Sequence, residues 1–211
     1  MINHRLKSYR IMSKAIHKQL LKISKQHCKP LEAIIKSNGV INIEIPQNLE
    51  LFDCLAQTVA EQQLSYKAAK SIWSKVKSSS HKRKLKLIDY FDAININSIR
   101  KDGLSKNKIK AIIGAKKAVI DQKITFEKLS AMDDKEYRQC ITSLWGFGDW
   151  SAEMIAIFYL GRTNIWSQKD LILNRGINEI CKESNITPDE LLKLIDPYQS
   201  YLALHIWRNK D

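Results

Sequence analysis

The sequence contains no apolar run long enough to cross a bilayer, which needs about 20 consecutive apolar residues in a helix. Its first residues are basic and lack the apolar core of a secretion signal. Its cysteines, Cys28, Cys54, Cys140 and Cys181, are scattered and form no C-x-x-C pair. They are therefore predicted to be small buried side chains in a reducing compartment. These absences predict no membrane partner, no zinc site and an intracellular protein, in a bacterial cytoplasm or a eukaryotic nucleus.

Acidic residues are fewer than basic residues in this chain. The chain has 35 Lys and Arg against 22 Asp and Glu, which gives a net charge of +13. Such an excess predicts a polyanionic partner, although charge alone does not separate DNA from RNA or an acidic membrane. With 211 residues, 44% of them apolar, the chain has room for one large domain or two small lobes that share a cleft.

Helical patterns dominate what is present. Ile16, Leu20 and Ile23 stand at helical spacing within residues 1–38, and Pro30 is placed to begin a second helix there. Residues 40–45 alternate apolar and polar, but the chain offers no second strand to pair with them, so they are predicted to form an extended connector. We predict an all-α fold of about ten helices in two lobes with a cleft between them.

Two serines mark helix starts in the middle of the chain. A helix over residues 51–60 is predicted to break at 62–64, and Ser65 then caps a helix to about Lys77. Residues 78–86, serine-rich and then basic, are predicted to be a solvated loop. Ser105 caps a helix to about Asp121. Its lysines are predicted to lie on its solvated face; they are at positions 106, 108, 110, 116 and 117.

Residues 133–175 carry the most informative pattern. Asp133 with Glu136 has the spacing of a capping box, and residues 154–160 are apolar all round, as in a buried helix. Between them, Gly146 and Gly148 predict a tight turn whose backbone angles a side chain would block. The result is a helix–hairpin–helix arrangement. It leaves the amides of residues 146–151 pointing outward, where they could hold a phosphate.

The hairpin sequence L-W-G-F-G-D-W-S-A-E-M resembles the signature of the helix–hairpin–helix DNA glycosylase superfamily. The following N-I-W-S-Q-K-D-L-I-L-N-R-G resembles that family's segment ending in its catalytic aspartate. Further matches lie in residues 61–73, 103–112 and 201–207, so the resemblance covers roughly residues 46–207. The closest branch is the compact all-helical alkylation-repair DNA-3-methyladenine glycosylases. The resemblance implies a hairpin-bearing lobe at about 51–165 and a second lobe from 1–50 with 166–211.

By this alignment the catalytic carboxylate is Asp170, in the predicted first turn of a helix that runs to Cys181. A carboxylate facing the sugar would stabilise the positive charge that builds up as the glycosidic bond breaks. The competing interpretation of Asp170 is an ordinary capping aspartate. Asp149, after the hairpin glycines, is the rival candidate and is expected to cap the buried helix or face solvent.

The resemblance also implies a DNA grip, a wedge that fills the space of a flipped nucleotide, and an aromatic pocket for a cationic alkylated purine. The wedge is Gln63 or Leu64, between which the sequence does not choose. The predicted base-pocket rings are Trp150, Tyr198 and Trp207. The predicted DNA-binding residues are Gln63, Leu64, Ser65, Ser105, Lys106, Gly146, Gly148, Trp150 and Ser151.

Relatives that also nick DNA carry a lysine two residues after the second hairpin glycine, where this chain has Trp150. We therefore predict a monofunctional, monomeric glycosylase that acts on damaged double-stranded DNA. The alternatives are a non-catalytic DNA-binding module and a glycosylase for other damaged or mismatched bases. No cofactor and no iron–sulfur cluster are predicted, although some family hairpins bind Na⁺ or K⁺. The alkylation branch often has arginine at position 199, where this chain has Gln199, so either the substrate breadth or the packing of the last helix is expected to differ.

Overall fold

The computed structural model describes residues 2–46 and 50–210, with side chains described for 13–46 and 50–209. Residues 1, 47–49 and 211, which the predicted lobes include, lie outside the described residues. The described protein is all-α, as predicted: 71% of it is helical and it contains no strand. The chain divides into two compact units, a central unit, Pro46–Ile155, and an N/C unit, Met1–Ile45 with Ala156–Asp211.

The N-terminal segment is two helices and an extended connector. The helices are α1, Ile2–His27, and α2, Lys29–Asn38. Pro30 lies in the first turn of α2, as predicted, where its missing N–H leaves no helical hydrogen bond unmade. Residues 39–46 adopt neither helix nor strand, which confirms the predicted connector.

The central unit is built from short helices around a buried aromatic and aliphatic core. Phe52 and Phe91, both 1% exposed or less, meet edge to face with ring centroids 5.7 Å apart. The helices are α3 Leu51–Glu61, α4 Tyr66–Lys82, α5 Leu87–Tyr90, a 3-10 turn Ala93–Asn95, α6 Ile96–Lys101, α7 Lys106–Ile120, α8 Phe126–Ala131, α9 Asp134–Thr142 and α10 Asp149–Phe158, which continues past the end of this unit.

Two predictions about the central unit are wrong. Residues 78–86 are not a loop throughout, because α4 continues to Lys82. Its buried stripe extends through Trp73 and Val76 to Ser80, whose hydroxyl donates to the Leu85 carbonyl at 2.7 Å and so tolerates burial. Helix α8, which begins with Thr125 as its N-cap, has no counterpart in the sequence-based prediction.

The last three helices are α11 Leu171–Lys182, α12 Pro188–Ile195 and α13 Gln199–Lys210. The sequence spacing of Thr187 and Glu190 predicts a capping box, and the structure shows its two reciprocal hydrogen bonds at the start of α12. Pro197 predicts a helix start in the same way, but the last helix begins two residues later, at Gln199. These helices share one apolar core with α1 and α2, and that core includes Leu20, Leu31 and Leu173. None of the helices in the described part of the chain combines the length and apolar character that crossing a membrane requires.

Candidate catalytic carboxylate and nucleic-acid interface

Asp170 is the N-cap of α11 rather than a residue of its first turn, a one-residue correction to the prediction. Its Oδ1 accepts hydrogen bonds from the amides of Ile172 and Leu173, both at 2.9 Å. Its own amide donates to the carbonyl of Ser167, which is fully buried. One oxygen of the half-buried carboxylate is therefore fixed by two backbone amides, the main chain of Asp170 is fixed by its own bond to Ser167, and the positive end of the helix dipole lies beside the carboxylate.

Two aromatic side chains lie beside this carboxylate in the N/C unit. The indole Nε1 of Trp207 lies 3.5 Å from Asp170 Oδ1. The Trp207 ring stacks with Phe158, with centroids 5.9 Å apart and an interplanar angle of 29°. Phe158 is 37% exposed. The carboxylate and one predicted pocket ring are thus brought together, with a second ring that the sequence-based prediction did not name.

Close packing of α11 on α13 brings Asp170 and Trp207 together. Gly176 lies in α11 where a Cβ would overlap Ile206 Cγ2, so only glycine allows α13 to approach this closely. Ser200, at the start of α13, is fully buried. Its hydroxyl donates to the Arg162 carbonyl at 2.8 Å and accepts from the Ile165 amide at 2.9 Å. The chain that leads to Asp170 is therefore fixed to the helix that carries Trp207.

Tyr198, the other predicted ring of the N/C unit, is half-buried and packs against the apolar core of that unit. The neighbouring Gln199 side chain donates to the Leu192 carbonyl at 3.2 Å, so it fastens the start of α13 to α12. The position where the family often has arginine therefore serves packing between helices in this chain.

The turn between α3 and α4, residues 62–65, contains the predicted wedge. Ser65 caps α4 as predicted, because its hydroxyl accepts from the Ala68 amide. Gln63 has a left-handed backbone, with φ of +54°, which costs about 1 kcal/mol in a non-glycine residue. Leu64 is 38% exposed and Gln63 is exposed as well. Both wedge candidates thus present their side chains to solvent, and the choice between them stays open.

The two hairpin glycines differ in what they require. Gly146 has φ of +85°, and a Cβ on it would lie 2.6 Å from Ala111 Cβ on α7, so a side chain is excluded there. Gly148 has no positive φ, and a Cβ on it would meet nothing within 4 Å. The predicted reason for glycine is therefore right for Gly146 and wrong for Gly148. At Gly148 the missing side chain leaves open space immediately before α10, where the Gly148 carbonyl accepts from the Ala152 amide at 3.1 Å.

The first turn of α10 is fastened to its surroundings in the central unit. Trp150 is half-buried and Ser151 is 1% exposed. Arg138 on α9 bridges two carboxylates of α10, with Nε 3.2 Å from Asp149 and Nη2 3.0 Å from the buried Glu153. Asp149 is therefore paired in the first turn of the buried helix.

The start of α7 provides a second exposed helix N-terminus. Ser105 is its N-cap, as predicted, and accepts from the Lys108 amide at 3.2 Å. Lys106, the first residue of α7, is exposed. Lys110 lies over the Trp145 ring, with Nζ 4.2 Å from the centroid, which places a cation beside the half-exposed indole that precedes Gly146.

Two lysines of α7 are not on its solvated face, contrary to prediction. Lys108 is half-buried, and its Nζ donates to the carbonyls of Ala60 and Gln62, both at 2.8 Å. Burial lowers the pKa of its ammonium. Lys116 Nζ donates to the Phe91 carbonyl at 3.2 Å. Both ammonium groups satisfy carbonyls of neighbouring segments, a use that helical spacing alone does not reveal.

In the described part of the chain, no group of three or more His, Cys, Asp or Glu side chains is arranged so that it could hold a metal ion. Of the four free cysteines, Cys140 is half-buried and the other three are buried. Burial raises the pKa of the Cys54 thiol to about 12 and that of Cys181 to about 11, so neither is a nucleophile at neutral pH.

Comparison with known proteins identifies the class of fold to which this arrangement corresponds. No family model matches the chain. The chain is 27% identical over 164 residues to DNA-3-methyladenine glycosylase 1 of Schizosaccharomyces pombe, which covers 75% of this chain and 72% of that protein. A DNA-3-methyladenine glycosidase structure from Bacillus halodurans matches with a TM-score of 0.68 and 26% identity, covering 90% of this chain and 88% of that one.

The structure of the S. pombe glycosylase in complex with abasic DNA matches with a TM-score of 0.77 and 23% identity, covering 92% of this chain and 95% of that one. The predicted resemblance to helix–hairpin–helix DNA glycosylases is thereby confirmed. Within that class, the homologues are all-helical DNA-3-methyladenine glycosylases, the branch that the hairpin sequence indicates.

Proposed function

We propose that the protein is a DNA glycosylase that excises alkylated purines, of the 3-methyladenine and 7-methylguanine type, from duplex DNA. The observation that carries the proposal is the carboxylate of Asp170, fixed by two backbone amides and facing the Trp207 Nε1 beside the exposed Phe158 ring. The names of the homologues support the same reaction. A module that only binds DNA could use Asp170 as a helix cap, but binding itself needs no carboxylate near the phosphates, which it repels.

In this proposal Asp170 stabilises the transition state of glycosidic bond cleavage. As the bond to the damaged purine lengthens, positive charge develops on the deoxyribose, and a fixed carboxylate attracts that charge more strongly than it attracts the neutral sugar. The alkylated base is already cationic and leaves readily. Asp170 therefore needs to supply no proton, and it orients the water that completes the hydrolysis.

Recognition of the base relies on aromatic faces. A cationic purine is attracted to the electron-rich face of an indole or phenol ring. Trp207 and Tyr198 in the N/C unit, with Trp150 in the central unit, are the proposed contacts. Phe158 joins them because its partly exposed ring stacks with Trp207.

The DNA backbone is gripped by residues of the central unit. The amides at Gly148 and at the start of α10 are the proposed phosphate contacts, because the open space at Gly148 lets a DNA backbone approach closely. Ser105 and Lys106 offer a second phosphate contact at the start of α7. Gln63 or Leu64 fills the gap left by the extruded nucleotide.

The reaction proposed is monofunctional and requires no cofactor. Trp150 cannot form the Schiff base by which a lysine at that position would attack the sugar, so the product is an intact strand with an abasic site. Hydrolysis through a carboxylate and water needs no metal. A monovalent cation at the hairpin would be structural, and it would appear as K⁺- or Na⁺-dependent DNA affinity.

The deciding experiment incubates the purified protein with methylated duplex DNA. Released bases are separated by chromatography, and strand nicking is scored before and after alkaline cleavage. The expected result is release of 3-methyladenine or 7-methylguanine, with nicks only after alkali. Binding of the duplex without release of any damaged base would refute the proposal, and nicks without alkali would refute its monofunctional part.

A further inference from the structure

One amide side chain connects the α3–α4 turn to the hairpin. Gln62 Nε2 donates to the Gly146 carbonyl at 2.9 Å and to the Ser151 hydroxyl at 2.8 Å. An amide nitrogen carries two hydrogens, so both bonds are made at once. The residue before the wedge candidates is thus bound to the hairpin turn and to the first turn of α10.

A half-buried cation on α7 also fixes this turn. Lys108 Nζ donates to the carbonyls of Ala60 and Gln62 at the end of α3. The last carbonyls of a helix lack helical partners and carry partial negative charge, so an ammonium placed there stabilises the helix end. Lys108 belongs to the first turn of α7, where its backbone amide also donates to the hydroxyl of the N-cap Ser105. The end of α3 is therefore fastened to the start of α7.

These contacts account for the conformation of Gln63. A left-handed backbone in a non-glycine residue persists only where its surroundings hold it in place. Gln63 follows a residue whose side chain and carbonyl are both bound. A side chain that inserts into DNA must be exposed, and its backbone must be held in place. A loosely held turn would move when its side chain met the stacked bases.

We propose that Gln62 and Lys108 are positioning residues that hold the wedge turn and the hairpin in one arrangement, so that gripping the phosphates delivers the wedge to the base stack. This inference rests on the proposed function, because the wedge and the phosphate contact are roles that only that function assigns. Neither residue contacts the base in this scheme. They act through Gln63, Leu64 and the hairpin amides.

The variants are Gln62→Met and Lys108→Met, which keep side-chain length and remove the donors. Their matched controls are Gln57→Met, which removes an amide donor to Glu61 within α3, and Lys117→Met, which removes an exposed lysine on the same helix as Lys108. Lys108→Arg keeps the charge and donors and serves as the rescue. Thermal unfolding of each variant identifies those that are merely unfolded.

The first readout is amide hydrogen exchange at residues 146–152 of the free protein. We expect Gln62→Met to raise exchange there about tenfold, corresponding to the loss of about one hydrogen bond's stabilisation, with Gln57→Met unchanged. The second is single-turnover excision at saturating DNA. Gln62→Met and Lys108→Met should lose about tenfold to a hundredfold in rate, because small misplacements are costly to catalysis, while affinity for undamaged duplex changes less than about threefold.

Wild-type exchange and wild-type excision rates in folded Gln62→Met would overturn the proposal. So would a rate loss in Gln62→Met matched by its Gln57→Met control, or a failure of Lys108→Arg to recover more rate than Lys108→Met. If the wild-type protein releases no base, the proposed function fails. The exchange comparison still decides whether Gln62 holds the hairpin, because it needs neither DNA nor catalysis.

Discussion

Trp207 Nε1 lies 3.5 Å from Asp170 Oδ1, the same oxygen that accepts both amide hydrogen bonds at the start of α11. The orientation of this carboxylate is therefore set by donors from two helices, α11 and α13. In the proposed mechanism, a carboxylate held in this way does not have to reorganise when a cation develops beside it.

Asp170→Asn tests the charge without disturbing the cap. Asparagine caps helices about as well as aspartate, so the thermal unfolding midpoint should stay close to that of the wild type. Single-turnover excision should fall by at least about a hundredfold, because the neutral amide no longer attracts the developing cation. Affinity for abasic duplex should change little. Asp133→Asn, which alters the exposed N-cap of α9, is the matched control and should excise normally. Full activity in Asp170→Asn would reduce the residue to a helix cap.

Gly146→Ala and Gly148→Ala should separate folding from binding. Gly146→Ala should lower the free energy of unfolding by about 2–4 kcal/mol, because the methyl group requires an unfavourable backbone and overlaps Ala111. Gly148→Ala should lower it by less than about 1 kcal/mol. Its methyl group fills the space proposed for a phosphate, so duplex affinity should fall about tenfold. Chemical denaturation and fluorescence anisotropy measure the two effects. Unchanged affinity in Gly148→Ala would remove the phosphate from this position.

Lys106→Met should weaken binding to damaged and undamaged duplexes alike. A lysine that neutralises one phosphate contributes about 0.9 to the slope of log affinity against log salt concentration. The slope for Lys106→Met should therefore be shallower by about that amount, and Lys117→Met should keep the wild-type slope. Titrations at several salt concentrations give both values. Equal slopes for Lys106→Met and the wild type would show that α7 begins away from the DNA.

His205 should make stability depend on pH. Its buried ring lies 3.2 Å from the Asn38 amide and 6.3 Å from the His17 ring. Burial, with smaller contributions from His17 and Arg208, lowers its pKa from 6.5 to about 4. Between these values the unfolded chain binds the proton more readily. Stability should therefore decline as pH falls from 6.5 to 4, by up to about 3 kcal/mol.

Urea unfolding at several pH values measures this decline. His205→Gln should flatten the dependence across that window whatever its effect on stability at pH 7. An equal decline in His205→Gln would assign the effect to other groups.

Helix starts were readable from the sequence because a cap acts over three residues. Ser65, Ser105 and Thr187 each accept from the amide three positions on, as their spacing predicts. The burial of α10 could be predicted as far as Ile157, since a segment apolar on every side has no face to present to water. The prediction is wrong for residues 158–160, because Phe158 is 37% exposed and the helix ends there. The extent of α4 was not, because Ser80 is polar in sequence and becomes compatible with burial only through its bond to Leu85.

The all-α class, the helix–hairpin–helix, the need for glycine at position 146 and a helix start near Asp170 could all be predicted from the amino-acid sequence, because each depends on neighbouring residues or on a family's ordered motifs. The contact of Trp207 with Asp170, 37 residues apart, and that of Gln62 with Gly146, 84 residues apart, could be learned only from the folded protein. Such contacts depend on how helices pack against each other. That packing depends on the complementary shapes of residues that lie far apart in the sequence, as with Gly176 and Ile206. No spacing along the chain encodes them.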